Sequence, residues 1–162
     1  MSRAIAYGTL FLLSLAMPAF AQDVEGFRLG MSLQEVKQLA SERGYRFSNP
    51  TKDANSSNWV SYLLMKDGPY VSFCGDTLSA TGKSWTSNLH EFANMLSQWT
   101  TSFGTPEINS KQTYSEGTPF STLSFKWEGA DNVRCDISVF QFCSSGLQIS
   151  YGVGYINHPC RH

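Results

Sequence analysis

Apolar residues recur at three- and four-residue intervals in two stretches of the chain. In the first, Leu33, Val36, Leu39 and Ala40 form one stripe, the spacing of an amphipathic helix. Ser32 stands where an N-cap belongs and Glu35 follows three positions later, the pairing of a capping box. Met31 and Val36 are placed as a hydrophobic staple. Gly44 supplies a left-handed C′ position, with Tyr45 folding back onto the last turn. The pattern predicts a helix over about 33–43. In the second stretch Asn88 is the cap and Glu91 sits at N3, and Leu89, Phe92, Ala93, Leu96, Trp99 and Phe103 recur at helical spacing. Gly104 and Pro106 end it.

Elsewhere the period drops to two. Leu123, Phe125 and Trp127 alternate with polar residues, as do Val133, Cys135, Ile137 and Val139, and then Leu147, Ile149, Tyr151 and Val153. Three such runs predict an antiparallel meander with one apolar face. Gly129-Ala130-Asp131-Asn132 and Ser144-Ser145-Gly146 supply the turns. Tyr114 marks an additional strand before them. Between the helices, Trp59 to Met65 and Tyr70 to Cys74 read as a hairpin around Lys66-Asp67-Gly68-Pro69. Residues 49–58 read as a polar loop, and the residues from Cys74 to Ser87 as a turn-rich connection. The predicted class is α+β: two helices packed on one face of an antiparallel sheet. The order helix, hairpin, helix, meander carries a faint twofold repeat of a helix followed by strands.

The N-terminus follows neither period. Arg3 is its only charge, an apolar core around Leu10, Phe11, Leu12, Leu13 and Leu15 follows, and Pro18 precedes Ala19-Phe20-Ala21. These are the regions of a secretory signal peptide, cleaved after Ala21. The apolar core is shorter than the roughly 20 residues a membrane span needs. Gln22, not Cys, follows the cleavage site, so no lipid anchor is expected. The reading is residues 1–21 as leader and 22–162 as one mature domain, periplasmic or secreted, with no integral membrane segment. Without Arg3, 11 Lys and Arg face 13 Asp and Glu, a net charge of −2. No basic stripe is present, which excludes nucleic acid as an expected partner.

Export gives the cysteines a meaning. Cys74, Cys135, Cys143 and Cys160 are an even set without a C-x-x-C, so two structural disulfides are expected. Matching the apolar faces of the last two strands sets Val139 opposite Tyr151, Ile137 opposite Val153 and Cys143 opposite Leu147. Cys135 and Cys143 lie eight residues apart on one strand, roughly 26 Å, too far to join each other. The C-terminal tail leaves the sheet near Cys135. The expected bridges are therefore Cys135–Cys160 and Cys74–Cys143.

The run Gly30-Met31-Ser32-Leu33-Gln34-Glu35-Val36 resembles the G-M-[ST]-x-x-E-V opening of the β-lactamase-inhibitor-like group, which includes the small outer-membrane assembly lipoproteins of the SmpA/OmlA type. Phe103-Gly104-Thr105-Pro106, followed by a Trp-bearing strand, resembles the same group's helix end. The resemblance implies helices against an antiparallel sheet and action by binding other proteins. The lipid-anchor cysteine of the assembly lipoproteins is missing here.

Reactive constellations are not legible. There is no G-x-S-x-G elbow. His90 falls in the first turn of the second helix as a surface residue, and His158 and His162 flank Pro159, which opposes the helix a His-x-x-x-His metal pair would need. Glu25, Glu107, Glu116 and Glu128 read as solvated acids, none paired by spacing. Gly152-Val153-Gly154 precedes no helix and is not a phosphate loop. No catalytic, cofactor-binding or metal-ligating set is assigned. Trp99 and Trp127 fall on apolar faces. Tyr62, Tyr70 and Trp85 are the candidate binding patch, since such aromatics are enriched at interaction surfaces. The expected function is an exported protein-binding module, inhibitor-like or an envelope-assembly accessory, with an envelope or extracellular protein as partner. The alternatives are a small periplasmic hydrolase and a structural envelope component.

Overall fold

The computed structural model describes residues 23–53, 56–115, 118–129, 132–142, 147–157 and 160. The expected signal peptide, Cys143, Glu116, His158 and His162 lie outside them.

The first elements among the described residues form a tight hairpin, β1 (Asp23–Val24) and β2 (Phe27–Arg28). Its two-residue turn has Glu25 at φ 52° and Gly26 at φ 77°, the paired left-handed conformation that suits strand twist. Helix α1 (Leu33–Glu42) follows. Its capping box is complete: Ser32 Oγ accepts from Glu35 N at 3.3 Å, and Ser32 N donates to Glu35 Oε2 at 2.7 Å. Those bonds hold the Glu35 carboxyl below its usual range. At the other end Gly44 takes φ 73°, and Tyr45 N donates back to Ala40 O at 2.8 Å, closing the last turn.

Strands β3 (Arg46–Phe47), β4 (Thr51–Asp53), β5 (Ser56–Met65), β6 (Tyr70–Cys74) and β7 (Thr77–Ser87) come next, then helix α2 (Leu89–Phe103). Asn88 caps α2 through a 3.0 Å bond from Glu91 N. Gly104, at φ 83°, ends it, and Trp127 Nε1 donates to Gly104 O at 2.8 Å, tying the helix end to the sheet. Strands β8 (Glu107–Ser115), β9 (Thr118–Glu128), β10 (Val133–Phe142) and β11 (Leu147–Tyr155) complete the fold.

Antiparallel pairing joins them in the order β3-β5-β6-β7-β11-β10-β9-β8, with β4 also on β5. The fold is thus α+β, as the periodicities predict, and a helix followed by a meander occurs twice. The strand that unites the halves, β7, is one the period-two pattern does not reveal. Its buried positions include Ser79, Thr81 and Gly82, and a bulge at Ser79 breaks the alternation against β6. Residues 49–58 likewise contain β4 and the start of β5 instead of only a loop.

Among the described residues three apolar clusters fill the interior. Val36 and Ala40 of α1 pack with Leu64, Val71, Phe73, Leu78 and Phe27. Phe92 of α2 packs with Phe125, Trp127, Ile137, Val139 and Ile149. Val24, Leu29, Val133, Cys135 and Val153 form the third, which shares Trp99 and Tyr151 with the second. The β1–β2 hairpin places Phe27 in the first cluster and Val24 in the third.

Two further expectations are corrected. Val139 opposes Ile149, Ile137 opposes Tyr151 and Cys135 opposes Val153, two residues away from the predicted register. Alternation decides the face a side chain occupies, and a two-residue slip leaves every face unchanged. The disulfide joins Cys74 to Cys160, with Cα atoms 5.8 Å apart, so the expected Cys135–Cys160 and Cys74–Cys143 bridges do not form. The reason is β7. It lies beside β11, with Ala80 opposite Gly154, and its own start, Thr77, opposes Cys74. The tail therefore leaves β11 next to the β6–β7 turn. Cys135 is buried in the third cluster, where burial pushes its thiol up to about 11.

Candidate functional site

A groove opens at the far end of the sheet from α1, where α2 begins. Phe92 is buried, but Leu89, one turn earlier, is 70% exposed. Below it, β8 and β9 pair so that Ser110 opposes Leu123 and Ile108 opposes Phe125. Leu123 is 37% exposed and Ile108 59%. Leu89, Phe92, Leu123, Val139 and Leu147 form the apolar lining of a groove of about 510 Å³, with Ser110 and Gln112 on its outer wall. That outer wall is β8, which among the described residues pairs with β9 alone. Its second edge carries backbone donors and acceptors available to another chain. An apolar groove beside an open strand edge has the two elements that accept an extended or sheet-forming protein segment.

A second concentration of polar groups has a different character. At the β1–β2 turn, Lys83 Nζ donates to Glu25 Oε1 at 2.5 Å and Tyr45 Oη to Glu25 Oε2 at 3.0 Å. Lys83 and Glu25 are each about one quarter exposed. The hydrogen bond to Glu25 raises the Lys83 ammonium above its ordinary value, and the same carboxylate raises the Tyr45 phenol. Burial raises the Tyr151 phenol nearby. Both Glu25 oxygens are engaged, so Glu25 is not the solvated acid that its loop position implies. This cluster fastens the hairpin across the sheet.

The sequence-predicted aromatic patch is not assembled. Tyr62 opposes Val71, which opposes Thr81, so Tyr62 and Trp85 point to one face of the sheet. Tyr70 opposes Gly82 and points to the other. Tyr62 packs edge-on against Phe47 and Phe73. Trp85 packs edge-on against Tyr151 and donates to Glu91 Oε1 at 3.3 Å. The Tyr70 hydroxyl reaches over Gly82 and Gly152, which are themselves cross-strand partners.

His90 is exposed, with Nε2 3.1 Å from Asn94 Nδ2. Glu107 is exposed and accepts from Asn109 Nδ2 at 2.7 Å. Glu128 is exposed. Among the described residues no three His, Cys, Asp or Glu side chains gather as a metal site, and no helix is long and apolar enough to cross a membrane. Sequence reasoning missed the groove. Its signal was present in Leu89, an apolar residue directly after a helix cap, and in Leu123 on a strand of the predicted meander. Comparison with family models, curated proteins and solved structures finds no match to this chain.

Proposed function

We propose that this chain is an exported protein-binding module, whose leader 1–21 is removed and whose mature domain works in the periplasm or outside the cell. The observation that carries the reading is the exposed apolar groove formed by Leu89 and Leu123 beside the open edge of β8. Isolated exposed leucines are ordinary on protein surfaces, and in this reading Leu89 and Leu123 gain their meaning from lining one groove together. In this reading α1 and α2 both lie on one face of the sheet, and the space between the start of α2 and the sheet edge receives the partner. The Cys74–Cys160 disulfide is compatible with an oxidising compartment.

The test is a pair of substitutions that make the groove polar, Leu89→Asp and Leu123→Asp, compared with Ser84→Asp on the opposite face of β7. All three positions are exposed. The groove variants are expected to keep their thermal unfolding midpoints and to lose association with envelope protein. Ser84→Asp is expected to retain both. Equal association by all three variants would overturn the reading.

A further inference from the structure

We propose that the groove and the β8 edge receive a second copy of this chain, paired antiparallel through β8 about a twofold axis at Asn109. This inference rests on reading the groove as a protein-docking surface. It adds the identity of the partner.

The argument comes from the charges on β8. Glu107 and Lys111 are its charged residues, both are exposed, and Asn109 lies midway between them. Residues two apart on a strand share a face. In an antiparallel self-pairing centred on Asn109, Glu107 of each copy therefore stands directly opposite Lys111 of the other. Two opposite-charge cross-strand pairs form on one face, arrangements that stabilise a ladder. On the other face Ile108 of each copy meets Ser110 of the other. Other centres are poorer. An axis at Lys111, the middle of the strand, sets two lysines against each other, and like charges directly opposite are destabilising. An axis at Ser110 leaves Glu107 against Thr113 and forms no ion pair. Charge thus selects one register from those the strand allows.

The groove supports the same geometry. A twofold axis perpendicular to the sheet keeps like faces on like sides, so both α2 helices stand on the same side of the joined sheet. Leu123 is opposite Ser110 on β9, one strand in from the junction. The exposed Ile108 and Leu123 of each copy then line a single trough that spans the axis, closed at its ends by Leu89. An isologous contact of this kind closes on itself and does not propagate. Glu107 also opposes Lys126 within its own chain, so the acid sits between two cations in the dimer.

Sedimentation equilibrium of the oxidised mature protein tests this directly. The expected result is a reversible monomer–dimer equilibrium. Glu107→Lys and Lys111→Glu each place like charges opposite one another across the axis and should weaken association by about tenfold or more. The double variant Glu107→Lys with Lys111→Glu restores opposite charges and should return association to within about threefold of the parent. A monomer at every concentration would overturn the inference, as would a dimer indifferent to the single changes or a double variant that stays weak. If the dimer fails while Leu123→Asp still abolishes capture of a different envelope protein, the docking reading stands and only the second copy is eliminated.

Discussion

Tyr70, Gly82 and Gly152 show how much one residue's size decides here. A methyl group built on Gly82 would meet both the Tyr70 side chain and, at 2.5 Å, the carbonyl oxygen of Tyr151, which belongs to the neighbouring backbone. A methyl on Gly152 would stand 2.5 Å from the Tyr70 hydroxyl, the end of a side chain that can turn, and 3.3 Å from Thr81 O. Gly82→Ala is therefore expected to destabilise by about 2–3 kcal/mol and Gly152→Ala by about 1 kcal/mol, within the usual range of overpacking costs. Tyr70→Leu should recover much of the Gly152→Ala loss but a smaller part of the Gly82→Ala loss, since the Tyr151 carbonyl stays in place. Urea unfolding of the four variants would check this, and equal rescue of both glycine changes would contradict it.

At the same scale, the Glu25 cluster predicts behaviour in alkali. Lys83, Tyr45 and Tyr151 all have raised values in the folded protein, from ordinary values of 10.5 and 10.0, and Cys135 rises from 9.0 to about 11. A raised folded value means the protonated form is favoured by folding. The stabilisation is complete below the unfolded value and disappears as pH climbs through the folded one. Stability should thus hold to about pH 9 and then fall, first through Cys135 and next through the tyrosines and Lys83. Lys83→Met, which removes an ion pair one quarter exposed, should cost about 1 kcal/mol or less near neutrality and flatten the alkaline slope. Denaturation midpoints across pH 7–11 would measure both effects. Glu25 could not be read in this role because its partners, Lys83 and Tyr45, come from distant parts of the chain.

At the scale of elements, local rules were readable and long-range pairing was not. Ser32 with Glu35 and Asn88 with Glu91 announce both helix starts, because caps are satisfied within four residues. Strand β7 gives no such notice. Its buried Thr81 satisfies its hydroxyl by donating to Tyr70 O at 3.0 Å, so a polar residue occupies a core position and the alternation disappears. Missing β7 also hid the route of the C-terminal tail, and with it the partner of Cys160. Peptide mapping without reduction should recover Cys74 joined to Cys160, and recovery of Cys135 joined to Cys160 would contradict the fold at this end. Replacing Cys74 and Cys160 with serine opens a link spanning 86 residues and should cost about 2–4 kcal/mol by releasing the unfolded chain.

For the molecule as a whole, the pairing of β7 with β11 makes two helix-and-meander halves into one sheet, bound also by the hairpin that enters two clusters. Among the described residues the sheet ends at β8, where Ile108 and, on the neighbouring β9, Leu123 are exposed. Alternation placed Leu123 correctly on the apolar side of its strand, yet sequence could not show that α2 stops short of covering it. That depends on where the helix begins relative to the sheet edge, a property of the assembled fold.

The claim that this edge is a protein-docking surface is most directly tested by site-specific photocrosslinking of the oxidised mature protein in its native envelope. A photoreactive residue at Leu123 is compared with one at Ser84 on the opposite face. Discrete protein adducts from Leu123, with none from Ser84, are the predicted result. Adducts from Ser84 alone, or none from Leu123 while the protein remains folded, would contradict it.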